Sequence, residues 1–485
     1  MMGRQTAGES LFYEFRLEDH VPDDHALRKI DRLLDLTELR AGLRDLYSHT
    51  GRPSVDPELM IRMLLVGYLY GIRSETRLCQ EVHLNLAYRW FCRLGLDGRV
   101  PDRSSFSKNR YGRFSESDVL RSVFELVVAQ CMEAGIVGGV GALVDGSTIE
   151  ADANRDRRDS PNKITDAWEK KERITRPVQA YLDDLDAAGP PKPNGNGSIP
   201  KGPKYISETD PQAAWSLKDG PGRFSYETNY LVDDLNGVIV DVEATPARLS
   251  EEIVAAKAML ERSKEYGFTP KSLAADKAYG TSPFLSWLED RKITQYIPVL
   301  DRTKQTDGKL TREAFTHDAE RDVFVCPQGH DLKLRADIPE RRLKRYQGNK
   351  KICGACPIKA TCTDAPSRSL AVSTDEPLRE KVRALAETEA YQDARRRRKK
   401  VEMLFAHLKR HLGLKRLRLR GLSGAKEEFL LAATAQNLKR LTKLAPASQL
   451  HVFVPIFLSR PVGAAIIRGV LIGRQAGASL VRRLR

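Results

Sequence analysis

The sequence predicts a mixed α/β protein, and three observations carry that prediction. Apolar residues recur at helical spacing through the first 115 or so residues. Short apolar and β-branched runs separated by turn residues, alternating with helical stretches, fill the region from about 137 to 300. A long amphipathic helical pattern then returns at 392–411, after an intervening stretch of different character.

Taken in order, SVDPELMIRMLLVGYLYG begins with Asp56 as an N-cap and Pro57 at the first helical position. Leu59, Ile61, Met63, Leu64, Leu65, Tyr68 and Leu69 follow, and Gly71 ends the helix. Ser74 opens a second pattern with Leu78, Val82, Leu86 and Trp90, and a third begins near Ser104 with Phe106, Tyr111 and Phe114. Three short helices with tight turns are compatible with helix-turn-helix reading of DNA, and equally with a plain helical bundle. A long helix runs through VLRSVFELVVAQCMEAG, and GGVGALVDGSTIEA reads as a buried strand ending at Asp145. Residues 154–222 are polar and rich in Pro and Gly, which predicts an insertion or flexible loop.

Beyond that, FSYETNYLVDD and GVIVDVEATPA form two strands across Leu235-Asn236-Gly237, where the Asn-Gly pair is a strong hairpin signal. A helix follows from Ser250 to about Gly267, with Ser250 and Glu252 at its start. The strand SLAADKAYG, a helix near SPFLSWLEDRK and a last strand ITQYIPVL complete the region. These elements divide the chain into a helical region 1–115, a sheet region 116–300, a Cys-rich detour 301–390, returning helices 391–445 and a tail 446–485.

Composition narrows the class. The chain has 485 residues, with 80 Lys or Arg against 65 Asp or Glu and a net charge of +15, which points to a polyanionic partner. That length predicts about three domains and excludes a small stapled scaffold. An odd number of cysteines, seven, and an N-terminus without an apolar h-region predict a reduced, cytoplasmic protein. No apolar run reaches the roughly 18 residues that cross a bilayer, and Arg460, Arg468 and Arg474 interrupt the apolar tail. The tail reads as a packed C-terminal helix, or alternatively as an interfacial amphipathic segment. No HxH or HExxH pair and no glycine-rich phosphate loop is present, so His-ligand hydrolysis and ATP dependence are not indicated. Trp215 and Trp287 read as packing residues, with stacking on flipped bases as the alternative.

Three acidic residues occupy telling places. Asp145 is expected to close the first strand, Asp276 the fourth, and Glu402 lies on the returning helix. Each alone has a bland explanation: a turn, a strand-end cap, a solvated helix residue. Together they suggest a cleft at the strand ends of an α/β sheet, faced by a helix that adds a third carboxylate. Carboxylates are hard oxygen ligands suited to Mg²⁺ or Mn²⁺, and two such ions can stabilise the attacking and leaving oxygens of phosphoryl transfer. Adding these acids to the element order turns a mixed α/β sheet into a ribonuclease H-like core.

Around Glu402, Val401, Leu404, Phe405, Leu408 and Leu412 form an apolar stripe with the glutamate at its rim, while Arg398 and Lys409 fall near the same face. From Tyr391 to Lys443 there are 16 Lys and Arg against 4 Asp and Glu, so this segment carries +12 of the chain's +15. A basic segment wrapped around acidic residues is the arrangement expected of an enzyme acting on DNA. A salt-bridged surface would contain the same residues.

At this point LVDGSTIEADANR, the hairpin ending in VEATPA, LAADKAYG and RRKKVEMLFAHLKRHLGLKRLRLRG resemble the catalytic blocks of bacterial insertion-sequence transposases with an Asp, Asp, Glu triad. In that family a Tyr, two residues, Arg, three residues, Glu, six residues, Lys signature surrounds the glutamate. Arg398, Glu402 and Lys409 match it, and Arg395 stands at the Tyr position. The stretch RPSVDPELMIRMLLVGYLYGIRSETRLCQEVHLNLAYRWF, with PDRSSFSKNR after it, is similar to the helical domain ahead of that core.

The resemblance implies that Asp145, Asp276 and Glu402 bind two Mg²⁺ or Mn²⁺ ions, and that water nicks the element's ends. The freed 3′ hydroxyl would then attack target DNA. It further implies DNA contacts by Arg395, Arg398, Lys409, Lys415, Arg416, Arg418 and Arg420, a homo-oligomer on DNA, and a bacterial location at the nucleoid. Two other readings stay open: an inactive DNA-binding relative, and a ribonuclease H-like nuclease without strand transfer. In the detour, Cys326-Pro-Gln-Gly-His330 and Cys353-x2-Cys356-x5-Cys362 suit either a tetrahedral Zn²⁺ site, with His330 as a substitute ligand, or reduced thiols in a packed insertion.

Overall fold

The structure, a computed structural model, describes residues 15–445 apart from 38–42, 45–46, 48–49, 51–53, 115–116, 170–172, 189–201, 219, 248–250, 301–307 and 340–341. The tail beyond 445 and the Ser250 cap therefore lie outside the described residues.

In chain order the main elements begin with helices α1 (Pro57–Leu69), α2 (Glu75–Leu84), α3 (Leu86–Phe91), α4 (Arg103–Asn109) and α5 (Val119–Glu133). Strand β1 (Gly141–Glu150), helices α6 (Pro161–Glu169) and α7 (Arg176–Ala188), and strands β2 (Ala214–Ser216), β3 (Arg223–Asp233) and β4 (Ile239–Pro246) come next. Then follow α8 (Glu251–Glu265), β5 (Ser272–Ala274), α9 (Ser282–Asp290) and β6 (Thr294–Tyr296). The detour contributes β7 (Thr316–Asp318), β8 (Val323–Val325), β9 (Asp331–Ile338), β10 (Leu343–Gln347) and β11 (Ser369–Ser373). Helices α10 (Glu376–Leu385), α11 (Glu389–Arg410) and α12 (Gly421–Leu444) end the described chain.

The chain forms two compact units, and neither is continuous in sequence. One comprises the residues up to Ile136 with His407–Arg418 and Glu427 onward; the other comprises Val137–Ala406 with Leu419–Lys426.

The first unit is helical. The Asp56 carboxylate accepts from the Glu58 N–H at 2.8 Å and caps α1, with Pro57 at its first turn. Ser74 caps α2. The third pattern starts two residues earlier than expected, because Asp102 accepts from the Ser105 N–H at 2.9 Å and caps α4. Within α1, Arg62 is only 2% exposed; it pairs with Asp31 and Glu58, both at 2.7 Å, and donates to the Phe91 carbonyl at 3.0 Å. A buried guanidinium is tolerated because these partners satisfy it.

This unit reaches past residue 115. Helix α5 is buried all round from Val119 to Cys131, so it needs packing on every side and joins the helical unit. Much of the region 407–445, expected to finish the sheet domain, also clusters here. Glu428 is fully buried, pairs with Arg73, and accepts from the Arg418 N–H at 2.6 Å. Gly71 has φ +69°, and a Cβ there would stand 2.8 Å from the His411 carbonyl oxygen, so this turn demands glycine.

The second unit is built on a mixed sheet. Strand β1 pairs antiparallel with β3 and parallel with β5, and β5 pairs parallel with β6. The outer edge of β3 is taken by β4 and, further along, by the short β2. The order β4-β3-β1-β5-β6, with helices α8 and α9 between strands and α11 after them, is the ribonuclease H-like arrangement. The β3–β4 turn has Gly237 at φ +69°, as the Asn-Gly signal predicts.

The described parts of 154–222 differ from the expected flexible loop, whose Pro- and Gly-rich stretch at 189–201 lies outside the described residues. Helices α6 and α7 and the strand pair Arg158–Asp159 with Ile206–Ser207 enclose their own small core of Ile164, Trp168, Val178 and Ile206. The apolar residues needed for that core are widely spaced among polar ones, which hid the two helices. Trp215 packs edge-on against Phe224 with centroids 5.1 Å apart, and Trp287 stacks on Phe284 at 6.0 Å, so both serve packing. Among the described residues, no helix is long and apolar enough to cross a membrane.

Candidate active site

Asp145 does not close β1. It sits inside the strand, which runs on to Glu150, and pairs in register with Tyr230 of β3. The strand continues because β3 keeps offering ladder partners beyond it. Directly opposed residues of an antiparallel pair share a face, and the Tyr230 ring stacks on Phe405 of α11 with centroids 4.9 Å apart. Asp145 therefore faces α11, the helix that carries Arg398 and Glu402.

Burial pushes the Asp145 carboxyl up to about 6. The Gly146 N–H, donating at 2.9 Å, and the Arg398 guanidinium oppose that rise, whereas the Asp276 carboxylate adds to it. A buried carboxyl whose proton affinity is raised further by a neighbouring carboxylate marks a place that a cation would relieve.

Asp276 stands just past β5, which ends at Ala274, instead of closing it. Its carboxylate accepts from the Ala278 N–H at 2.8 Å and caps the tight turn Lys277–Tyr279. β1 and β5 are adjacent parallel strands, so this cap brings Asp276 into electrostatic reach of Asp145. Glu402 is 60% exposed and lies 3.6 Å from Arg398, one turn back on α11. Arg398 is thus the side chain that connects the two halves of the predicted triad, attracting Asp145 on one side and pairing with Glu402 on the other.

The remaining predicted basic residues divide by role. Arg395, Lys415, Arg416 and Arg418 are exposed, the last three alternating with buried Leu414, Leu417 and Leu419. Lys409 lies further along α11 and is partly buried. Arg420 is engaged by Asp152, whose carboxylate lies 3.0 Å from its Nε. Within RRRRKK, Arg397 pairs with Asp234 at 2.8 Å, and the Lys400 ammonium donates to the carbonyls of Asp234 and Leu235 at 2.5 Å each. Part of that basic run therefore ties α11 to the β3–β4 turn. At the signature's missing tyrosine, Arg395 is exposed, while Tyr391 lies one turn earlier, buried edge-on against Tyr296 with centroids 6.0 Å apart.

Sequence reasoning missed five residues. Glu227 in β3 is almost fully buried; Lys218 lies 3.0 Å from its carboxylate and 3.7 Å from that of Glu252 on α8. Burial, and then the hydrogen-bonded Glu227 carboxyl, raise the Glu252 carboxyl, which therefore tends to keep its proton. Tyr279 is fully buried, its hydroxyl has no hydrogen-bond partner, and burial together with Glu252, Asp145, Glu227 and Asp276 drives its pKa well upward. Gly146 makes room for the acid pair: a Cβ there would come within 3.1 Å of the Glu227 side chain. The available signal was a glutamate at a buried position of a strand that otherwise carries no acid before Asp233.

Among the described residues, no three His, Cys, Asp or Glu side chains are grouped closely enough to hold a metal ion as they stand. The donor chemistry nonetheless fits a divalent cation of the Mg²⁺ type: Asp145 and Asp276 supply hard oxygens, and mutual repulsion leaves them short of positive charge. The Glu402 side chain is exposed on its helix, with Arg398 as its ion-pair partner.

Two family models match the chain. Residues 15–111 match the family described as Transposase domain (DUF772), and residues 325–442 match that described as Transposase DDE domain. The second match takes in Glu402, Arg398, Lys409 and the four detour cysteines, while Asp145 and Asp276 precede it. Together the two matched domains support a DNA transposase similar to those of the insertion-sequence DDE group.

Proposed function

We propose that this transposase cuts the ends of its element and joins the freed 3′ ends to target DNA, with Asp145, Asp276 and Glu402 as the residues that hold two Mg²⁺ or Mn²⁺ ions. The observation that carries the reading is the convergence of Asp145, in β1, and Asp276, just past the end of the neighbouring β5, with Asp145 on the face met by the helix that bears Arg398 and Glu402. When bound, such ions would lower the cost of the charge that develops on attacking and leaving oxygens.

The chain's own residues account for the rest. In the first step a water oxygen bonds to phosphorus and the bond to the 3′ oxygen breaks, leaving a 3′ hydroxyl and a 5′ phosphate. In the second, that 3′ oxygen bonds to a target phosphorus and displaces the target's own 3′ oxygen. Arg398 holds the phosphate that Asp145 alone would repel, and Arg395 and Lys409, on the same helix, extend that grip along the backbone. Lys415, Arg416 and Arg418 add exposed charge for flanking phosphates, and Arg420 joins them where DNA competes with Asp152. Bringing two ends together calls for at least two copies of the chain on DNA.

The experiment incubates the purified protein and its Asp276→Asn variant with DNA flanking its own gene, in Mg²⁺ or EDTA, and maps 3′ ends and joined products. Metal-dependent nicks at a fixed boundary with joined products, all lost in the variant while DNA binding persists, are the expected outcome. Cleavage without joining would make it a nuclease, and binding without cleavage in any metal an inactive relative.

A further inference from the structure

The detour holds four cysteines that the cutting chemistry does not use. Strands β7 to β11 form a five-stranded antiparallel meander in the order β11-β10-β9-β8-β7. Its core is small: Phe315, Phe324, Leu332, Tyr346, Cys362 and Leu370 are the buried members. A module of this size buries too little apolar surface to be firmly stable alone, and modules of this kind usually carry a disulfide or a metal. All four cysteines here are free thiols.

The thiols converge although they come from separate elements. A cavity of about 30 Å³ is lined by Cys326, Cys353, Cys356 and Cys362, with His330 and Arg368 at its wall. Cys326 opens a tight turn in which its N–H donates to the His330 carbonyl at 2.9 Å and the Gly329 N–H donates back to the Cys326 carbonyl at 2.8 Å. That turn points the His330 N–H at the Cys326 sulfur, 3.4 Å away, which is how backbone stabilises a metal-bound thiolate.

Cys353 comes from a one-turn helix, Lys350–Gly354, capped by Asn349, and Cys362 ends the helix Lys359–Cys362. The thiols of Cys353, Cys356 and Cys326 all lie within electrostatic reach of Cys362. A side chain at Gly348 would put its Cβ 2.9 Å from the Cys353 sulfur, so a glycine there keeps the wall open. Arg368, which donates to the carbonyls of Cys362 and Leu310 at 2.7 Å each, has a buried Nε without a partner beside this cavity. A guanidinium in that place suits a cluster that becomes negative when it is filled.

We propose that Cys326, Cys353, Cys356 and Cys362 hold one structural Zn²⁺ as four thiolates, with His330 outside the ligand set and contributing only its backbone N–H. The Cys-x2-Cys pair and two further thiols from another turn and another helix are the donor set of a closed tetrahedral site, with zinc–sulfur bonds of about 2.3 Å. As they stand the thiols are not drawn to that distance. Binding would release their protons and rotate the side chains into the cavity, so ion binding and the setting of this small core are one event.

The test uses the full chain, purified without chelator, and measures zinc by mass spectrometry and by release with a thiol-modifying reagent. The expected result is about one zinc per chain. In protein refolded with Co²⁺, thiolate-to-cobalt charge-transfer bands of four-sulfur intensity are expected, unchanged by His330→Ala. Cys353→Ser and Cys356→Ser should each reduce the zinc content several-fold. A folded chain that takes up neither zinc nor cobalt, or that shows a Cys353–Cys356 disulfide in their place, would overturn the proposal. Loss of the metal in His330→Ala would overturn the four-thiolate ligand set.

Discussion

At the residue scale, Asp145 and Glu252 are acids placed where water cannot fully solvate them. Burial and the neighbouring Glu227 raise the Glu252 carboxyl beside Lys218, and this gives stability a pH dependence of definite sign. The folded Glu252 carboxyl titrates above its unfolded value, so the folded chain keeps a proton that the unfolded chain gives up. The benefit is present below the ordinary carboxylate range, and stability falls as pH rises through the interval up to the folded value. Glu252→Gln preserves a donor to Glu227 and removes the ionisation. In EDTA the variant should melt at the same temperature as the wild type near pH 4 and a few degrees above it near pH 9. A difference that stayed constant across that range would rule out the raised Glu252 carboxyl.

Residue identity explains much of what the sequence disclosed and what it hid. Asp145, Asp276 and Glu402 stood out because an acid next to an apolar run is conspicuous. Glu227 was passed over because β3 was recognised from its hairpin turn, which says nothing about which way a glutamate in it points. Glu252 looked like an ordinary first-turn helix acid, and only the register of α8 against β3 shows it meeting another carboxyl.

At the element scale, local signals worked wherever a side chain bonds to its own backbone neighbours. The caps at Asp56 and Ser74 and the Asn-Gly turn are of this kind. Strand ends were less legible, because a strand stops where its partner stops: β1 runs past Asp145 with β3 alongside, while β5 ends before Asp276. Gly71 shows how tertiary demand overrides a local reading. It looks like a helix terminator and is one, but it also lies against the His411 carbonyl. Gly71→Ala should cost about 1 to 2 kcal/mol for the left-handed backbone alone, and more for the clash. Urea denaturation would measure it, and a change below about 0.5 kcal/mol, the range of ordinary surface substitutions, would contradict the close approach.

On the scale of the whole molecule, net charge is the dominant physical property. Of the chain's +15, the segment around Glu402 supplies +12. Non-specific DNA affinity should therefore fall steeply with salt, by a slope near 0.9 per phosphate neutralised. Replacing Lys415 and Arg416 together by alanine should lower the slope of log affinity against log salt by about 2, evenly across DNA sequences. Arg397→Ala should leave the slope nearly unchanged, since that guanidinium is committed to Asp234. Equal slopes in wild type and double variant would remove those two residues from the DNA surface. The two-unit division was illegible in the sequence for a related reason: an apolar stripe says that a helix packs, not on which core, and α11 and α12 each serve both units.

That shared use of the last helices bears on synthesis. Helices α1 to α5, made well before α12, cannot complete their core until Glu428 has been translated to pair with Arg73. A nascent chain must therefore wait with its amino-terminal helices unfinished while about 300 further residues are added. A message broken anywhere before that point yields a fragment without a finished amino-terminal unit, and such fragments would be cleared by proteases instead of competing with intact copies for the element's ends.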